Sequence, residues 1–313
     1  MKMSIIVPVY YNKDNLAPMY DDLKVNVLDP LLGAGNDYEL ILVDDGSKDG
    51  SYEEILRLQT MDERIRAIRL SRNFGSHSAI LAGLSVSTGD CVAMKAADQQ
   101  EPSSLILEML EKRSEGYSVV LAVRKDREES FSQKAFANLY YGIVRKLALP
   151  NMPKGGFDCF LIDRKVVNLL VAMEEQNTTL MGQILWCGFK TAHVYYVRQK
   201  RTIGKSKWTL KKKFKLVSDS IFGFSYFPVK FISTFGMLFF MVSIIWALVV
   251  LIMKLTGNIT VSGYTTLAIL ILFGFGLVMF AIGILGEYTW RMFDSVRQRP
   301  PFIIDEVKTR QAK

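Results

Sequence analysis

Cysteine and histidine are scarce in this chain of 313 residues, with three of the first and two of the second. An odd set of thiols (Cys91, Cys159, Cys187) without metal-ligand spacing excludes a disulfide framework and fits a reducing compartment. Each is expected to be a small buried residue rather than a reactive thiol. Two histidines leave too little material for a histidine-rich metal centre. No G-x-G-x-x-G and no G-x-x-x-x-G-K-[ST] occurs, so neither a dinucleotide fold nor a P-loop is supported. G-x-S-x-G is missing as well, and so are internal repeats and low-complexity tracts. Met1 to Tyr10 runs straight into a strand, so no signal peptide is expected.

Apolar residues, by contrast, make up 50% of the chain, and they are unevenly placed. Between Lys230 and Lys254 lie 23 residues without a charge, "FISTFGMLFFMVSIIWALVVLIM". At about 1.5 Å per residue they reach roughly 35 Å, enough to cross a hydrocarbon core of about 30 Å. Leu255 to Gly286 is again uncharged, and "YTTLAILILFGFGLVMFAIGILG" forms a second expected span. Its Gly274, Gly276, Gly283 and Gly286 suit close helix packing in lipid and permit packing between chains as a homo-oligomer. The alternative is a buried soluble hairpin. Lys200 to Lys215 holds eight Lys or Arg and no acid, within a formal charge of +8. By the positive-inside rule both termini then lie in the cytoplasm, giving a multi-pass protein of the inner or plasma membrane. The lysine run reads as an anchor on anionic lipid, and because it abuts the spans, nucleic acid is not an expected partner.

The first 200 residues alternate short apolar runs with amphipathic ones. "SIIVPVY", "YELILVDD", "RIRAIRLS", "CVAMKA" and "YSVVLAV" read as strands. "NLAPMYDDLKVNVL", "SYEEILRLQ", "HSAILAGLSVS" and "SSLILEMLEKR" read as helices, the last opened by Ser103 and Ser104 after Pro102. Such alternation predicts an α/β fold, a mostly parallel sheet with helices on both faces. After Val123 the pattern loosens, with "SFSQKAFANLYYGIVRKLAL" helix-like, "FDCFLID" a strand, "TTLMGQILWCGF" helical and "KTAHVYYV" an alternating strand. "TLKKKFKLVSDSIFGFSYF" mixes lysines with apolar residues at helical spacing and reads as an interfacial helix. The expected organisation is a catalytic domain over residues 1–204, a juxtamembrane segment over 205–228, a two-helix hairpin over 229–290 and a cytoplasmic tail over 291–313.

In such sheets ligands bind beyond the carboxyl ends of the strands, where Asp44, Asp45 and Asp98 fall. In "VDDGSKDGS" two acids are followed by Gly46, Ser47 and Gly50. Carboxylates there can accept from a base N–H and a ribose hydroxyl, while glycine lets a ligand approach the backbone. A helix N-cap and turn would use the same residue types.

"VPVYYNKDNL", "LILVDDGSKDGS", "LSRNFGSHSAILAGLSVSTGD", "AADQQEP", "VRKDREES", "FDCFLIDR" and "RTIGKSKW" follow in one order. That order and spacing resembles the family 2 glycosyltransferases, most nearly the polyprenyl-phosphate glycosyltransferases with two carboxyl-terminal spans. The resemblance covers essentially the whole chain. It implies a GT-A fold, a UDP-sugar donor, Mg2+ or Mn2+, and an undecaprenyl-type polyprenyl phosphate acceptor. Carried over by position, Pro8, Asp44, Asp45 and Gly46 match nucleotide-binding residues, with Tyr10, Ser47, Gln100 and Lys207 assigned to the same nucleotide sugar. Asp98 matches the second acid of a D-x-D metal motif and Asp158 an acid near the reacting centre. Arg201, Ser206 and Lys207 match the element near the diphosphate; Arg124 and Arg127, with Ser206, are assigned to the lipid phosphate. Asp158, Asp98 and Arg201 form the expected catalytic set.

Three positions depart from the family pattern: Ala96 replaces the first D-x-D acid, Tyr11-Asn12 an Asn-Glu pair, and Phe160 an arginine. Magnesium in nucleotide enzymes commonly takes one or two carboxylates plus phosphate oxygens and water, so Asp98 with a diphosphate meets the minimum. A phosphate monoester has its second pKa near about 6, so the acceptor needs little deprotonation. The expected reaction is inverting transfer of a hexose, glucose favoured, giving a lipid-linked monosaccharide for cell-surface glycan or lipopolysaccharide modification. GlcNAc, galactose, mannose or amino-arabinose donors, or a catalytically silent nucleotide-sugar scaffold, are the alternatives.

Overall fold

The computed structural model describes residues 1–126, 141–154, 156–173, 175, 177–199, 210–225, 227–256 and 263–309. It begins β1 (Lys2–Val9), α1 (Lys13–Leu23), a π turn and α2 (Asp29–Gly33), β2 (Asp37–Asp44), α3 (Ser51–Met61) and β3 (Ile65–Leu70). Then come α4 (Ser76–Val86), β4 (Cys91–Met94), α5 (Leu105–Ser114), β5 (Val119–Asp126) and β6 (Phe157–Asp163). α6 (Arg164–Ala172), α7 (Leu180–Trp186) and β7 (Thr191–Val197) complete this half. The expected strands form because β-branched and apolar residues alternate between two buried faces. Met3, Ile5, Val7 and Val9 of β1 meet the α1, α3 and α5 side, while Ile6, Ile41, Val43 and Ile68 meet the α4 and α6 side.

Eight strands form one sheet in the order β7-β5-β6-β4-β1-β2-β3-β8. β1 pairs in parallel with β2 and β4, β2 with β3, and β5 with β7. The two antiparallel junctions of β6, with β4 and β5, bring the end of "FDCFLID" alongside the metal-motif strand. The expected helix over "NLAPMYDDLKVNVL" starts earlier, at Lys13, and contains Pro18. Ser103 does not cap α5 but donates its hydroxyl to Asp22.

Three helices follow, α8 (Leu210–Phe224), α9 (Phe227–Leu255) and α10 (Tyr264–Val296). Among the described residues one stretch, Phe273–Val296, is by itself long and apolar enough to cross a membrane. A bent pair, Val217–Phe224 with Phe227–Leu238, passes the same test only if taken as a single broken span. The first span expected from sequence falls in α9, a helix of 29 residues that does not qualify by itself, and the second falls in α10, so among the described residues one of the two expected spans meets the test alone.

The segment expected to be a tail behaves differently. Residues 304–309 form β8, which pairs antiparallel with β3. Ser71 donates its backbone N–H to Ile303 at 3.0 Å, and Gln59 reaches the Lys308 carbonyl at 2.7 Å. The alternation of Ile304, Glu306 and Lys308 with Asp305 and Val307 suits an edge strand, which charged residues protect from further pairing.

The base of α10 is bolted to the catalytic domain. Arg291 donates to Asp219 of α8 at 2.9 Å and to the Asn177 carbonyl at 2.7 Å. Asn177 in turn donates to Asp294 at 2.8 Å. The Tyr288 hydroxyl lies 3.3 Å from the Ser225 carbonyl oxygen, so the feet of α9 and α10 stand at one level.

Candidate active site

The loops after β1 and β2 are sewn together at the carboxyl edge of the sheet. Pro8 pairs with Val43 and Val9 with Asp44, so β1 delivers Tyr10 beside the two acids. Tyr11 has φ +54° and donates its N–H to Ser47 Oγ at 3.0 Å. Its ring meets that of Tyr10 edge-on, with centroids 4.7 Å apart. Asn12 donates its N–H to Ser51 Oγ at 3.1 Å, so this departure from the family pattern sits inside an intact turn.

Asp44 is fully buried and accepts from the Ser47 N–H at 3.2 Å. Burial pushes its carboxyl up, against the opposing pull of Ser47 and Arg69. Asp45 faces the other way. Both of its oxygens take backbone N–H groups of the R-N-F-G turn, Phe74 at 2.7 Å and Gly75 at 2.9 Å. Gly46 makes that approach feasible: its φ is +71°, and a Cβ would stand 2.7 Å from the Arg72 carbonyl carbon. Asp45 is therefore the brace that folds one motif onto another.

Asp98 follows β4, is buried, and accepts from the Gln100 N–H at 3.3 Å. Gln100 ties this segment to the chain after β7: its Oε1 accepts from Arg198 at 2.6 Å, and its carbonyl accepts from the Gln199 N–H at 2.9 Å. Asp158 is gripped by Arg124 through Nε and Nη2 and accepts from the Tyr196 hydroxyl at 2.8 Å. Burial alone would raise the Asp158 pKa, but the Arg124 guanidinium, Arg198 and the Tyr196 hydroxyl hold it below the usual carboxylate range. Arg124, assigned from sequence to the lipid phosphate, thus spends two nitrogens on Asp158.

Sequence reasoning missed Glu101 and Lys95. Glu101 is 3% exposed, and its Oε2 has no hydrogen-bond partner among the described residues. Burial, then the Asp158 and Asp98 carboxylates, push its carboxyl up to about 7, while Arg198 and Lys95 oppose them. Lys95, also buried, donates to the Glu101 carbonyl at 2.7 Å. Tyr196 could have been found from the alternation of "KTAHVYYV", which turns it inward. Cys91 and Cys159 are buried as expected while Cys187 is only half-buried, and burial raises all three thiols. Arg127, Arg201, Ser206 and Lys207 lie outside the described residues.

These acids, amides and guanidinium groups stand together at the carboxyl ends of a mostly parallel sheet, the edge at which such sheets bind ligands. A family model for glycosyl transferase family 2 matches residues 4–171, which contain every described site residue up to Asp158. The chain is a family 2 glycosyltransferase. An uncharacterized glycosyltransferase of Bacillus subtilis, YkcC, is 37% identical over 98% of this chain and 94% of its own length. A prophage bactoprenol glucosyl transferase homolog of Escherichia coli is 33% identical over 98% of this chain and all of its own, 100%. Among solved structures, Staphylococcus aureus TarS in complex with UDP-GlcNAc aligns with a TM-score of 0.47 at 17% identity, covering 68% of this glycosyltransferase and 63% of that chain.

Proposed function

We propose that this glycosyltransferase moves a hexose, glucose favoured, from a UDP-sugar to a polyprenyl phosphate at the cytoplasmic membrane face, with inversion. Full-length similarity to a prophage bactoprenol glucosyl transferase homolog supports the acceptor class. The observation that carries the reading is the return of the chain into its own sheet. The chain leaves the catalytic domain at α8 and re-enters it at β8, on β3. Both ends of the intervening hairpin therefore lie on the catalytic side, and the number of crossings is even. If α10 crosses, α9 crosses back. Two spans then hold the catalytic domain against the surface from which a lipid phosphate projects.

Residues of the site fit a hard divalent cation such as Mg2+ or Mn2+. The oxygens of Asp98 would be the protein's ligand, the orphaned Oε2 of buried Glu101 offers a further oxygen nearby, and the donor diphosphate would supply the rest. When bound, the ion would neutralise charge on the departing nucleoside diphosphate. Asp158 stays ionised in its clasp and serves to steer or deprotonate the residual monoanion, while most of the acceptor arrives as a dianion. The acceptor oxygen forms the bond to the anomeric carbon from the face opposite the nucleotide, whose bond breaks.

The test is incubation of the full chain in vesicles with polyprenyl phosphate and a panel of radiolabelled nucleotide sugars. Label should enter the lipid fraction from a UDP-hexose. Nucleotide binding with no transfer from any donor would instead identify a silent sugar-nucleotide scaffold.

A further inference from the structure

α7 packs unusually close to the helix that leads into the membrane. A Cβ on Gly182 would stand 2.3 Å from the Phe224 ring, so only glycine admits that ring against the helix. Three residues later α9 begins at Phe227, and three residues span at most about 10 Å. The Tyr288–Ser225 contact fixes the same level on the other helix. Gly182 therefore lies within a short reach of the water–lipid boundary.

Trp186 is four residues further on, at the last position of α7, which places it on the face that Gly182 turns to Phe224. It is 67% exposed, which is costly in water for so large a side chain. Phe189 follows, and the Lys165 ammonium sits 5.1 Å from its ring centroid. One turn along α6 from Lys165 stands Leu169, 45% exposed. Trp186 and Phe189 thus flank the end of α7, with Lys165 at the Phe189 ring, and the same short helix packs on Phe224 where the chain meets the hairpin.

We infer that this surface docks on the membrane, with the Trp186 indole seated in the headgroup layer of an anionic bilayer. Indole suits that layer because its ring is apolar and its N–H finds an acceptor there. Lys165 adds attraction to acidic lipid. The catalytic domain then touches lipid at a second point beyond the hairpin, which limits its tilt and holds the sheet edge at a set height. This inference rests on the hairpin crossing the membrane, and the two are separable by experiment.

The full chain contains four tryptophans. One variant keeps Trp186 and carries Trp208→Phe, Trp246→Phe and Trp290→Phe; a second keeps only Trp246. A third replaces all four with Phe and carries Met61→Trp, on the exposed end of α3. Each is reconstituted in phosphatidylglycerol-containing vesicles with acyl chains brominated near the glycerol end. Trp186 should lose emission and shift to the blue, Trp246 should be quenched, and the Met61→Trp reporter should be unaffected. Unquenched Trp186 beside a quenched Trp246 overturns the docking surface alone. An unquenched Trp246 overturns the hairpin and the docking surface together. Equal quenching of Trp186 and the Met61→Trp reporter also overturns it. Aqueous iodide supplies the converse reading, since lipid should shield Trp186 from it.

Discussion

Arg124 holds Asp158 with two guanidinium nitrogens across 34 residues of chain, from β5 to β6. Their side chains are 11% and 21% exposed, so removing one leaves the other poorly solvated. Breaking such a pair from one side costs about 3–5 kcal/mol. Asp158→Asn should lower the melting temperature by several degrees and reduce transfer by about 100-fold. The Asp158 pKa lies below its unfolded value, so its stabilisation is present above about 4 and lost as pH falls through the folded value. The difference between wild type and Asp158→Asn should be flat across neutral pH and shrink only in acid. Near-normal turnover by this variant would remove Asp158 from the mechanism.

Glu101 has the opposite sign. Its folded value, about 7, lies above the unfolded one, so its favourable contribution is full below about 4 and lost as pH rises through 7. Glu101→Gln keeps the shape without the charge. Thermal melts without divalent metal should show the variant gaining on wild type by about 3 kcal/mol between pH ~4 and ~8. Parallel melting curves would show that the carboxyl is not strained.

Asp45→Ala removes the acceptor of two backbone N–H groups in the R-N-F-G turn. Each charge-assisted bond contributes about 1.5–3 kcal/mol, and the loss falls on the loop proposed to face the nucleotide. Titration calorimetry should show UDP binding weakened at least about tenfold, the equivalent of about 1.4 kcal/mol. Gly46→Ala should destabilise the fold as well, because the new methyl group meets the Arg72 backbone at a left-handed φ.

Ala96 offers a test by addition. Ala96→Asp supplies the acid that the family motif places before Asp98, and should tighten Mn2+ binding in the presence of UDP by about tenfold. Asp98→Asn should abolish it. Manganese electron paramagnetic resonance reads both without any turnover. If Asp98→Asn binds Mn2+ as wild type does, the metal site lies elsewhere.

Deleting residues 302–313 strips β8 from the sheet. Tyr52 loses its bond to Glu306 at 3.0 Å and Gln59 its bond to Lys308. The variant should melt lower, aggregate through the bared β3 edge, and bind UDP less well, because the R-N-F-G turn begins where Ser71 bonds Ile303.

The strands were legible because their apolar residues recur where two buried faces demand them, as in "SIIVPVY" and "LILVDD". Asp44 and Asp45 were legible because acids at strand ends stand out against the apolar run. Their division of labour was not, since it depends on a turn 30 residues away that only the fold brings near Asp45. The Arg124–Asp158 clasp and the Gln100–Arg198 tie are likewise contacts between distant segments. Glu101 carries no signal in the sequence, and only burial gives it its character. β8 was invisible for another reason: "IDEVKT" is short and charged, and its partner strand lies more than 230 residues earlier.

β8 also leaves the ribosome after every other described element. Until it emerges, β3 has one bare edge, and the domain exposes an open seam during synthesis. By then both long helices have been translated, and β8 can reach its seam only if they have turned back to the side they started from. On the proposed two-span topology, a nascent chain inserted the wrong way round would be left with an unclosed sheet, so closure of β8 on β3 reports correct insertion.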